Sequence, residues 1–491
     1  MSNTPVYDLL ARAAGEHPDR PAVRDAAGRW SYAQLAAHSR RAAAWLAGRG
    51  VGHGDRVMVR LASGREYLAL LYGTVALGAV LVPVNPAMKD FQLRGVVEDS
   101  EPELIVTDPA HAEAVRALTA RPVLGLDEAW REISAQEPAP VATAAISRDV
   151  ALLMYTSGTT SRPKAVVSEH AQVLAATRAV AARLRYRVDD VVYCRLPLSF
   201  DYGLYQVFLA ALAGAELVVP GEVPDVMLLR GVRETGATVV PLVPSLAEML
   251  VRLAERDPEP TSVRLFTNTG AALPPPSVAA LRAAFPGAAV SLMYGITECK
   301  RVSVLEPDED LDRPGSVGRP LPDTQVLVVD DEGRPLPPGE TGEFVVRGPH
   351  VMSGYWRAPE QTAQRFRRCE RTGEVRLFTG DYGHQDADGH LYFSGRRDDI
   401  FKRLGMRVST LEIEAAALDV PGVREAVALA PDGTRDLTLF VVGEPEPAVV
   451  RRELRNRLEA AKVPAAVLAV PAIPLTGNGK PDRKALAAQL S

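Results

Sequence analysis

Short apolar runs alternate with helical patterns along this 491-residue chain, and this alternation constrains the fold more than any other feature. Near the N-terminus it predicts helices at 6–16 and 31–49 and strands near 21–25, 56–61 and 79–84. Strands that alternate with helices in this way are typical of βαβ units with a parallel sheet. The sequence therefore predicts an α/β fold.

The same alternation returns after a connector that we predict at residues 136–146. From residue 317 onward, short alternating strands with Gly and Pro turns predict antiparallel β-structure instead. Between these regions the pattern predicts buried strands at 191–196, 216–219, 238–242, 264–269 and 289–293 and a helix at 202–213.

The charged stretch RRDDIFKR, which follows Gly395, interrupts the apolar pattern before a compact αβ segment. Charged, exposed stretches commonly separate domains. We therefore predict an N-terminal domain at 1–396 and a C-terminal domain at 397–491.

Composition excludes several classes of protein. The formal charge is −5 and no long apolar run or basic, apolar leader is present, so neither a nucleic-acid partner nor a membrane partner is expected. Three widely spaced cysteines (194, 299 and 369) and eight scattered histidines argue against a disulfide framework or a transition-metal centre. The expected location is the cytoplasm.

Residues 155–164, YTSGTTSRPK, follow the apolar strand predicted at 151–154 and combine five aliphatic hydroxyls, a glycine and two cations. Backbone N–H groups, hydroxyls and a lysine suit a polyphosphate. The spacing is not that of a Walker A loop. From these residues alone, a phosphate-binding loop and an ordinary polar turn stay equally open.

This segment resembles the phosphate-loop signature of the adenylate-forming superfamily, which contains acyl-CoA synthetases, peptide-synthetase adenylation domains and luciferases. Further family motifs recur in order over nearly the whole chain. They are MYGITE (293–298), TGEFVVRGPHVMSGYW (341–356), LFTGDYGHQDADGHLYFSGRRDD (377–399), FKRLGMRVSTLEIE (401–414) and PLTGNGKPDRKAL (474–486).

The resemblance implies a large N-terminal domain of two βαβ-type subdomains plus a small β-barrel, followed by a small, mobile C-terminal α+β lid domain. It also implies ATP and Mg²⁺ as cofactors, with a carboxylic acid converted to acyl-AMP and pyrophosphate released. The nucleotide residues that it implies are Thr156, Ser157, Gly158, Thr159, Thr160, Lys164, Gly270, Ala271, Ala272, Tyr294, Gly295, Asp381 and Arg396.

The catalytic residues implied by the resemblance are two residues of the MYGITE motif and two lysines. Thr297 would contact phosphate and Glu298 would hold Mg²⁺, a hard cation that suits a carboxylate and phosphate oxygens. Lys480 would bridge the acid and the α-phosphate, where an ammonium offsets the repulsion between two anions. Lys402 would serve the second half-reaction after the small domain rotates.

Asp398 matches the hinge of that rotation, and Gly405 and Arg407 match the loop that then enters the site. Three positions depart from the family pattern. Ser161 and Ala165 replace common glycines of the phosphate loop, and Leu404 stands where a polar or small residue is frequent. The departure at Leu404 makes the prediction of a thiol acceptor less certain than the prediction of the adenylation step.

The segment LPLSFDYGLYQ, residues 196–206, begins the predicted acid pocket. Asp201 resembles the aspartate that holds the ammonium of amino-acid substrates, although it could instead cap the helix that follows. Lys300 and Arg301 could bind a second anionic group or form a solvated turn. The pocket candidates are Phe200, Asp201, Tyr202, Asn268, Ile296, Cys299 and Lys300.

Three functions remain open at this stage. The leading prediction is a ligase that activates a small aryl or short acyl acid and transfers it to a thiol of coenzyme A or a carrier protein. The alternative is adenylation of an amino acid or of nitrite with transfer to an amine, as in natural-product pathways. A nucleotide sensor on an inactive synthetase fold is the third.

Overall fold

The computed structural model describes residues 5–138, 146–156, 164–221, 223–369, 372–396, 400–403, 406–432, 435–458, 460, 462–476 and 481–490. The chain forms two compact units: Met1–Val326 with Val346–Phe378, and Leu327–Val345 with Thr379–Ser491. This division differs from the predicted boundary after residue 396, because 327–345 and 379–396 belong to the second unit. The roles and the mobility predicted for the two domains stay predictions.

Strands lie at the apolar runs that were predicted, and further strands such as Gly28–Ser31, Leu104–Thr107 and Val123–Gly125 were not predicted. In chain order they are β1 (Pro21–Asp25), β2 (Gly28–Ser31), β3 (Arg56–Arg60), β4 (Val80–Pro83), β5 (Leu104–Thr107), β6 (Val123–Gly125), β7 (Val150–Thr156), β8 (Lys164–Glu169), β9 (Val191–Tyr193), β10 (Glu216–Val218), β11 (Val239–Leu242), β12 (Leu265–Asn268), β13 (Ala289–Tyr294), β14 (Ser303–Val304), β15 (Arg319–Pro320), β16 (Gln325–Val329), β17 (Gly342–Arg347), β18 (Phe366–Arg368), β19 (Val375–Gln385), β20 (Leu391–Arg396), β21 (Ile400–Arg403), β22 (Met406–Ser409), β23 (Val423–Leu429), β24 (Thr438–Gly443) and β25 (Ala466–Ala469).

The helices connect these strands, and short 3₁₀ turns lie at Pro109–His111, Asp225–Met227 and Glu309–Leu311. In chain order the helices are α1 (Tyr7–Glu16), α2 (Tyr32–Gly48), α3 (Arg65–Ala76), α4 (Asp90–Ser100), α5 (Ala112–Arg116), α6 (Leu126–Ser134), α7 (His170–Leu184), α8 (Asp201–Ala213), α9 (Leu228–Glu234), α10 (Pro244–Arg256), α11 (Pro275–Ala284), α12 (Pro359–Arg365), α13 (Thr410–Leu418), α14 (Pro447–Arg457) and α15 (Arg483–Ala488).

The larger sheet of the first unit has the order β15-β14-β13-β12-β11-β9-β10-β1-β2. Its six central strands, from β13 to β1, are parallel, and antiparallel strands close both edges. Strand β11 is buried along its whole length, as expected for a parallel strand covered on both faces. Aromatic residues such as Phe266 and Phe285 fill the core beside it.

A second sheet of the first unit has the order β6-β5-β3-β4-β7-β8 and is parallel except for the β7–β8 pair. The predicted parallel sheets and their two βαβ regions are therefore confirmed. Because parallel strands share their direction, the polar residues that follow their carboxyl ends gather at one edge of each sheet, where ligands bind in such folds.

The second unit contains the antiparallel pair β21–β22 and the sheet β23-β24-β25. Helices α13 and α14 contribute Ile413 and Leu454 to a core with Leu439 and Val441. Antiparallel pairing, predicted after residue 317, is confirmed for β18–β19 and β19–β20. Closure of a β-barrel stays a prediction.

Two further sequence predictions concern particular segments. Most of the connector predicted at 136–146 lies outside the described residues. Among the helices that are described, we find none that combines the length and the apolar character needed to cross a bilayer.

Candidate active site

The predicted phosphate segment joins β7 to β8. These strands pair antiparallel, with Thr156 opposite Lys164, so the two ends of the intervening segment are held together. Ser157, Gly158, Thr159, Thr160 and Ser161 lie outside the described residues, as does the side chain of Thr156. The predicted contacts of these residues with phosphate therefore stay predictions.

Lys164 stands at the start of β8 with its ammonium 5.9 Å from the centre of the Tyr355 ring. Ala165, which follows it, is buried in the core of the smaller parallel sheet. A side chain larger than hydrogen is therefore accommodated at this position, where the family commonly has glycine.

The metal-motif residue Glu298 lies in the turn after β13, and its side chain is 13% exposed. The Tyr355 hydroxyl donates a hydrogen bond of 2.5 Å to Glu298 Oε1. Arg365 Nη1, from the end of α12, lies 3.9 Å from the same oxygen. Sequence reasoning missed both partners, since Tyr355 is 57 positions away from Glu298. Glu298 is thus a partly buried carboxylate held by a fixed donor.

The adenine-segment residues follow β12 and β13. Gly270 is exposed at φ +83°, a conformation that favours glycine, and Ala271 and Ala272 continue an accessible turn. Tyr294 ends β13 and is 8% exposed. Thr297 is half-buried in the next turn. These residues thus lie beyond the carboxyl ends of neighbouring parallel strands, at the edge where a ligand is expected.

The turn that follows β13 is made possible by Gly295. The Val302 N–H donates to the Tyr294 carbonyl at 2.8 Å, so the chain folds back on itself over these residues. A Cβ at Gly295 would lie 2.3 Å from the carbonyl oxygen of Lys300 and 2.8 Å from the Cα of Arg301. Only glycine therefore fits beneath the backbone that carries the two cations.

The acid cluster, defined as Asp201, Tyr205, Lys300 and Arg301, contains the charges of the predicted pocket. Arg301 Nη1 lies 3.8 Å from Asp201 Oδ2. Lys300 Nζ lies 5.9 Å from the centre of the Tyr205 ring. Tyr205 is four residues after Asp201 on α8, a spacing that places both on one helix face and could have revealed it.

Both cations of the acid cluster are buried: Lys300 is 0% and Arg301 is 5% exposed. A solvated turn is therefore the wrong interpretation of these residues. Within the described part of the chain, Lys300 Nζ, Arg301 Nε and the Tyr205 hydroxyl have no hydrogen-bond partner. Unsatisfied buried polar atoms are costly in a folded protein and indicate a missing partner.

Burial lowers the pKa of Lys300 to about 8, although the carboxylates of Asp201 and Glu298 act in the opposite direction. Burial also raises the pKa of Tyr202 and Tyr205, so both phenols stay neutral. At neutral pH the acid cluster therefore presents a mostly protonated ammonium and a guanidinium against one carboxylate.

Asp201 is the first residue of α8, and the residue before it, Phe200, makes no side-chain cap hydrogen bond. The N-cap position is thus Phe200, and the alternative that Asp201 serves only to cap this helix receives no support. Gly203 brings the helix close to the preceding chain, since a Cβ there would lie 2.4 Å from the Pro197 carbonyl oxygen. Asp201 is thereby held at the pocket on a closely packed turn.

The other pocket candidates lie in the same unit as these charges. Tyr202 packs against Arg301, whose Cζ lies 5.0 Å from its ring, and shares a 2.8 Å hydrogen bond with Thr267. Asn268 Nδ2 donates to the Leu242 carbonyl at 3.2 Å. The buried candidates Tyr202, Asn268, Ile296, Cys299 and Lys300 and the half-buried Phe200 and Asp201 all belong to the first unit.

The predicted ribose carboxylate belongs to the second unit, in a segment inside β19 that we call the TGD turn. It comprises Thr379, Gly380 and Asp381, with Gly380 at φ +71°. Asp381 is 2% exposed and pairs with Arg396 Nε at 3.1 Å across β19 and β20. The Gly380 N–H donates to Glu343 Oε1 at 2.8 Å. The Thr379 hydroxyl donates to the Phe344 carbonyl.

Several predicted residues lie outside the described part of the chain. These are Asp398, Gly405, Leu404 and Lys480. Lys402 and Arg407 face each other in the register of β21 and β22, but their side chains are not among those described. The roles predicted for these residues stay predictions.

Comparison with known proteins decides the family. The sequence profile of the family described as AMP-binding enzyme matches residues 10–356, and that of the AMP-binding enzyme C-terminal domain matches residues 412–480. The chain belongs to the AMP-binding enzyme family. The predicted membership of the adenylate-forming superfamily is thereby confirmed, and with it an AMP-forming ligase.

Two curated relatives illustrate the range of this AMP-binding enzyme family. Surfactin synthase subunit 2 of Bacillus subtilis (strain 168) is 31% identical over 97% of this chain, which spans only 14% of that protein's length. Sulfoacetate–CoA ligase of Cupriavidus necator is 31% identical over 97% of this chain and 96% of its own length. The family thus joins multi-domain synthetases and free-standing CoA ligases.

Two solved structures share the fold of this AMP-binding enzyme. ATP-bound MatB from Rhodopseudomonas palustris has a TM-score of 0.90 and 29% identity, covering 99% of both chains. VinN in complex with L-aspartate has a TM-score of 0.75 and 45% identity, covering 80% of this chain and 99% of its own. The predicted α/β fold, with a large N-terminal and a smaller C-terminal domain, is confirmed.

Proposed function

We propose that this enzyme adenylates an amino acid bearing a second carboxylate, of the aspartate class, and transfers the acyl group to a thiol. The observation that carries the proposal is the buried acid cluster. It presents two buried cations beside one carboxylate. Lys300 Nζ and Arg301 Nε of these cations have no hydrogen-bond partner among the described residues. The proposal combines the amino acid of the alternative prediction with the thiol acceptor of the leading prediction.

The charges of the cluster complement such a substrate. Asp201 suits the ammonium, because a buried amine needs a carboxylate partner. Lys300 and Arg301 suit the carboxylate that does not react, and the guanidinium can bind it through two parallel hydrogen bonds. The second carboxylate is left for adenylation. An aryl or short acyl acid without these groups would leave two buried cations and the half-buried Asp201 without substrate partners, at considerable free-energy cost.

The comparison with VinN supports this choice independently. VinN has been solved with L-aspartate and with 3-methylaspartate, at 45% and 41% identity to this chain respectively. Both ligands carry an ammonium and two carboxylates. The substrate class inferred from the acid cluster is therefore the class that this similar protein binds.

The nucleotide step is the one implied by the family. The reacting carboxylate oxygen attacks the α-phosphorus of ATP, the bond to the β-phosphate oxygen breaks, and acyl-AMP and pyrophosphate result. Lys164 and the predicted Lys480 would stabilise the charges on the phosphates and the attacking carboxylate. In the second unit, the Asp381 carboxylate would accept hydrogen bonds from the ribose hydroxyls. Its ion pair with Arg396 would orient the carboxylate for these hydrogen bonds.

The residues present fit Mg²⁺ as the metal. Glu298 offers a hard carboxylate oxygen, and Mg²⁺ is commonly bound by one or two carboxylates together with substrate phosphates. When bound, the metal would neutralise phosphate charge. Within the chain, Glu298 would hold it while Tyr355 fixes one carboxylate oxygen.

For the acceptor we propose a thiol of coenzyme A or of a carrier protein. The support is the range of the relatives, which includes a protein named as a CoA ligase and a subunit of a peptide synthase. An amine acceptor is the alternative that the test must cover. The predicted cytoplasmic location belongs to the same proposal.

The testing experiment is a pyrophosphate-release screen with L-aspartate, 3-methylaspartate, succinate, β-alanine, benzoate and nitrite. Each acid is tested alone, with coenzyme A, with a carrier protein and with an amine. We expect activity with the first two, and weak activity with succinate, which lacks the ammonium, and with β-alanine, which lacks the second carboxylate. Equal turnover of succinate and aspartate would contradict the role of Asp201. Activity with benzoate or nitrite alone would overturn the substrate class.

A further inference from the structure

Tyr355 contacts both Lys164, at the end of the predicted phosphate segment, and Glu298, the predicted metal ligand. Its hydroxyl donates to Glu298 at 2.5 Å, and its ring lies 5.9 Å from the ammonium of Lys164. The side chain is half-buried. No predicted role used this tyrosine, although it lies in a family motif.

The backbone around Tyr355 is fixed to strand β8, which begins at Lys164. The Trp356 N–H donates to the Ala165 carbonyl at 2.9 Å, and the Val167 N–H donates to the Gly354 carbonyl at 2.9 Å. Tyr355 therefore forms an isolated antiparallel bridge with Val166 of β8. The tyrosine cannot move independently of the strand that carries the phosphate-segment lysine.

The same segment is also fixed to the metal turn. The Met352 N–H donates to the backbone carbonyl of Glu298 at 2.9 Å. Glu298 is thus attached twice, through its carbonyl and through its carboxylate. Gly354 permits this path, since it has φ +119° and a Cβ there would lie 2.4 Å from Thr362.

We infer that Tyr355 is a positioning residue that holds the Glu298 carboxylate in the orientation in which it binds magnesium. The hydroxyl occupies Oε1 and leaves Oε2 for the cation. Hydrogen-bond partners of metal-binding side chains commonly have this role, and their loss lowers metal affinity about 10- to 100-fold. The inference rests on the assignment of Glu298 as metal ligand, which belongs to the proposed function.

The test is the substitution Tyr355→Phe, which keeps the ring over Lys164 and removes only the hydroxyl. A matched control is Tyr392→Phe, since the Tyr392 hydroxyl donates to the Asp386 carboxylate at 3.3 Å in the second unit. Both variants are compared with the native protein and with Glu298→Gln. Thermal unfolding establishes that all four proteins are folded.

The measurement is calorimetric binding of a non-hydrolysable ATP analogue over a series of magnesium concentrations, followed by Mn²⁺ titration monitored by electron paramagnetic resonance. We expect Tyr355→Phe to raise the magnesium concentration for half-maximal binding roughly 10- to 100-fold, with Tyr392→Phe within about twofold of the native protein. A merely structural tyrosine would change unfolding without changing this metal dependence.

Two other outcomes would overturn the inference in distinguishable ways. If Glu298→Gln raises the metal requirement and Tyr355→Phe matches Tyr392→Phe, the tyrosine does not position the carboxylate. If Glu298→Gln also leaves the metal requirement unchanged, the metal assignment of the proposed function fails and the inference fails with it. The acid specificity of the enzyme does not enter either result.

Discussion

The acid cluster and the TGD turn both bury charged side chains, but they satisfy them differently. In the TGD turn, Asp381 has an ion-pair partner and Gly380 donates to Glu343. In the acid cluster, Arg301 also has an ion-pair partner, Asp201, but Lys300 Nζ and Arg301 Nε have no hydrogen-bond partner among the described residues. Under the proposed function, the TGD turn is therefore prepared before its ligand arrives, whereas the acid cluster is completed by its ligand.

This difference has an energetic meaning. A satisfied buried carboxylate contributes to a unique local structure, whereas an uncompensated buried cation lowers stability. Functional sites commonly carry such unfavourable groups, which the rest of the fold must offset. We therefore expect substitution of a charged residue to lower stability in the TGD turn and to leave it unchanged or raise it in the acid cluster. Activity should fall in both cases.

The largest effect is expected for Lys300→Met. It removes the partner of the substrate carboxylate that does not react, which costs about 3–5 kcal/mol in binding, or roughly 150- to 5,000-fold in kcat/KM for aspartate. Stability should be unchanged or higher, because a buried charge is replaced by an apolar group. Pyrophosphate release and thermal unfolding measure the two effects, with the exposed Lys484→Met as control. A lower melting temperature together with normal activity would show that Lys300 stabilises the fold and does not bind substrate, which contradicts the contrast with the TGD turn.

Asp381→Asn should act on the nucleotide and leave acid selectivity unchanged. Loss of a hydrogen bond to a charged group costs about 1.5–3 kcal/mol, so we expect the KM for ATP to rise roughly 10- to 100-fold. Stability should fall, because the ion pair with Arg396 is lost. The ratio of aspartate to succinate turnover provides the check, and a change in that ratio would contradict the separation of the two regions.

A pH series tests the acid cluster without removing an atom. The free-enzyme kcat/KM for aspartate should fall above pH 8, approaching tenfold per pH unit, because the Lys300 ammonium loses its proton with a pKa of about 8. Asp201, Glu298, Cys299 and Arg301 face this group. In Lys300→Arg the fall should be absent, since arginine stays charged. A similar fall in both proteins would assign it to another group.

The same pKa determines how stability depends on pH. The folded-state pKa of Lys300 is lowered from 10.5, so the unfolded chain binds more protons between about pH 8 and 10.5. The contribution of this residue to stability therefore increases as pH rises through that interval. Lys300→Met should lack this contribution.

The smallest effect is expected at Glu343, below the TGD turn. Glu343→Ala removes the acceptor of the Gly380 N–H and should lower the free energy of unfolding by about 1–3 kcal/mol. Glu343→Gln keeps an acceptor oxygen and should recover most of that loss. Denaturant titration distinguishes them, and identical losses in both variants would show that the negative charge, and not the hydrogen bond, stabilises the turn.

The sequence predicted most of the fold because the buried strands are apolar along their length and the helices are periodic. Strand β11 was predicted at 238–242 and observed at Val239–Leu242. The prediction missed β2, Gly28–Ser31, because this short edge strand has only one buried residue, Trp30. It also extended β9 beyond its observed end at Tyr193. Apolar residues that follow a strand and belong to a site turn cannot be distinguished from the strand itself by pattern alone.

The site was less accessible to sequence reasoning. Its motifs identified Glu298 and Asp381, but the burial of Lys300 depends on Gly295 and on packing against Tyr205, which no local pattern reveals. The Tyr355 partner of Glu298 is distant in sequence for the same reason. Charged residues next to each other in a turn are usually exposed, so only the folded chain shows that these are not.

The tight approach at Gly295 has a consequence for changing the substrate range. Because the backbone of Lys300 and Arg301 rests directly on a residue without a side chain, the turn has no room to shift when a new acid is introduced. Insertions or a larger residue at 295 should disrupt the whole turn, whereas the side chains at 300 and 301 can be exchanged on an unchanged backbone. Libraries that vary those two positions together with 201, and leave 295 fixed, are therefore the economical route to ligases for other acids.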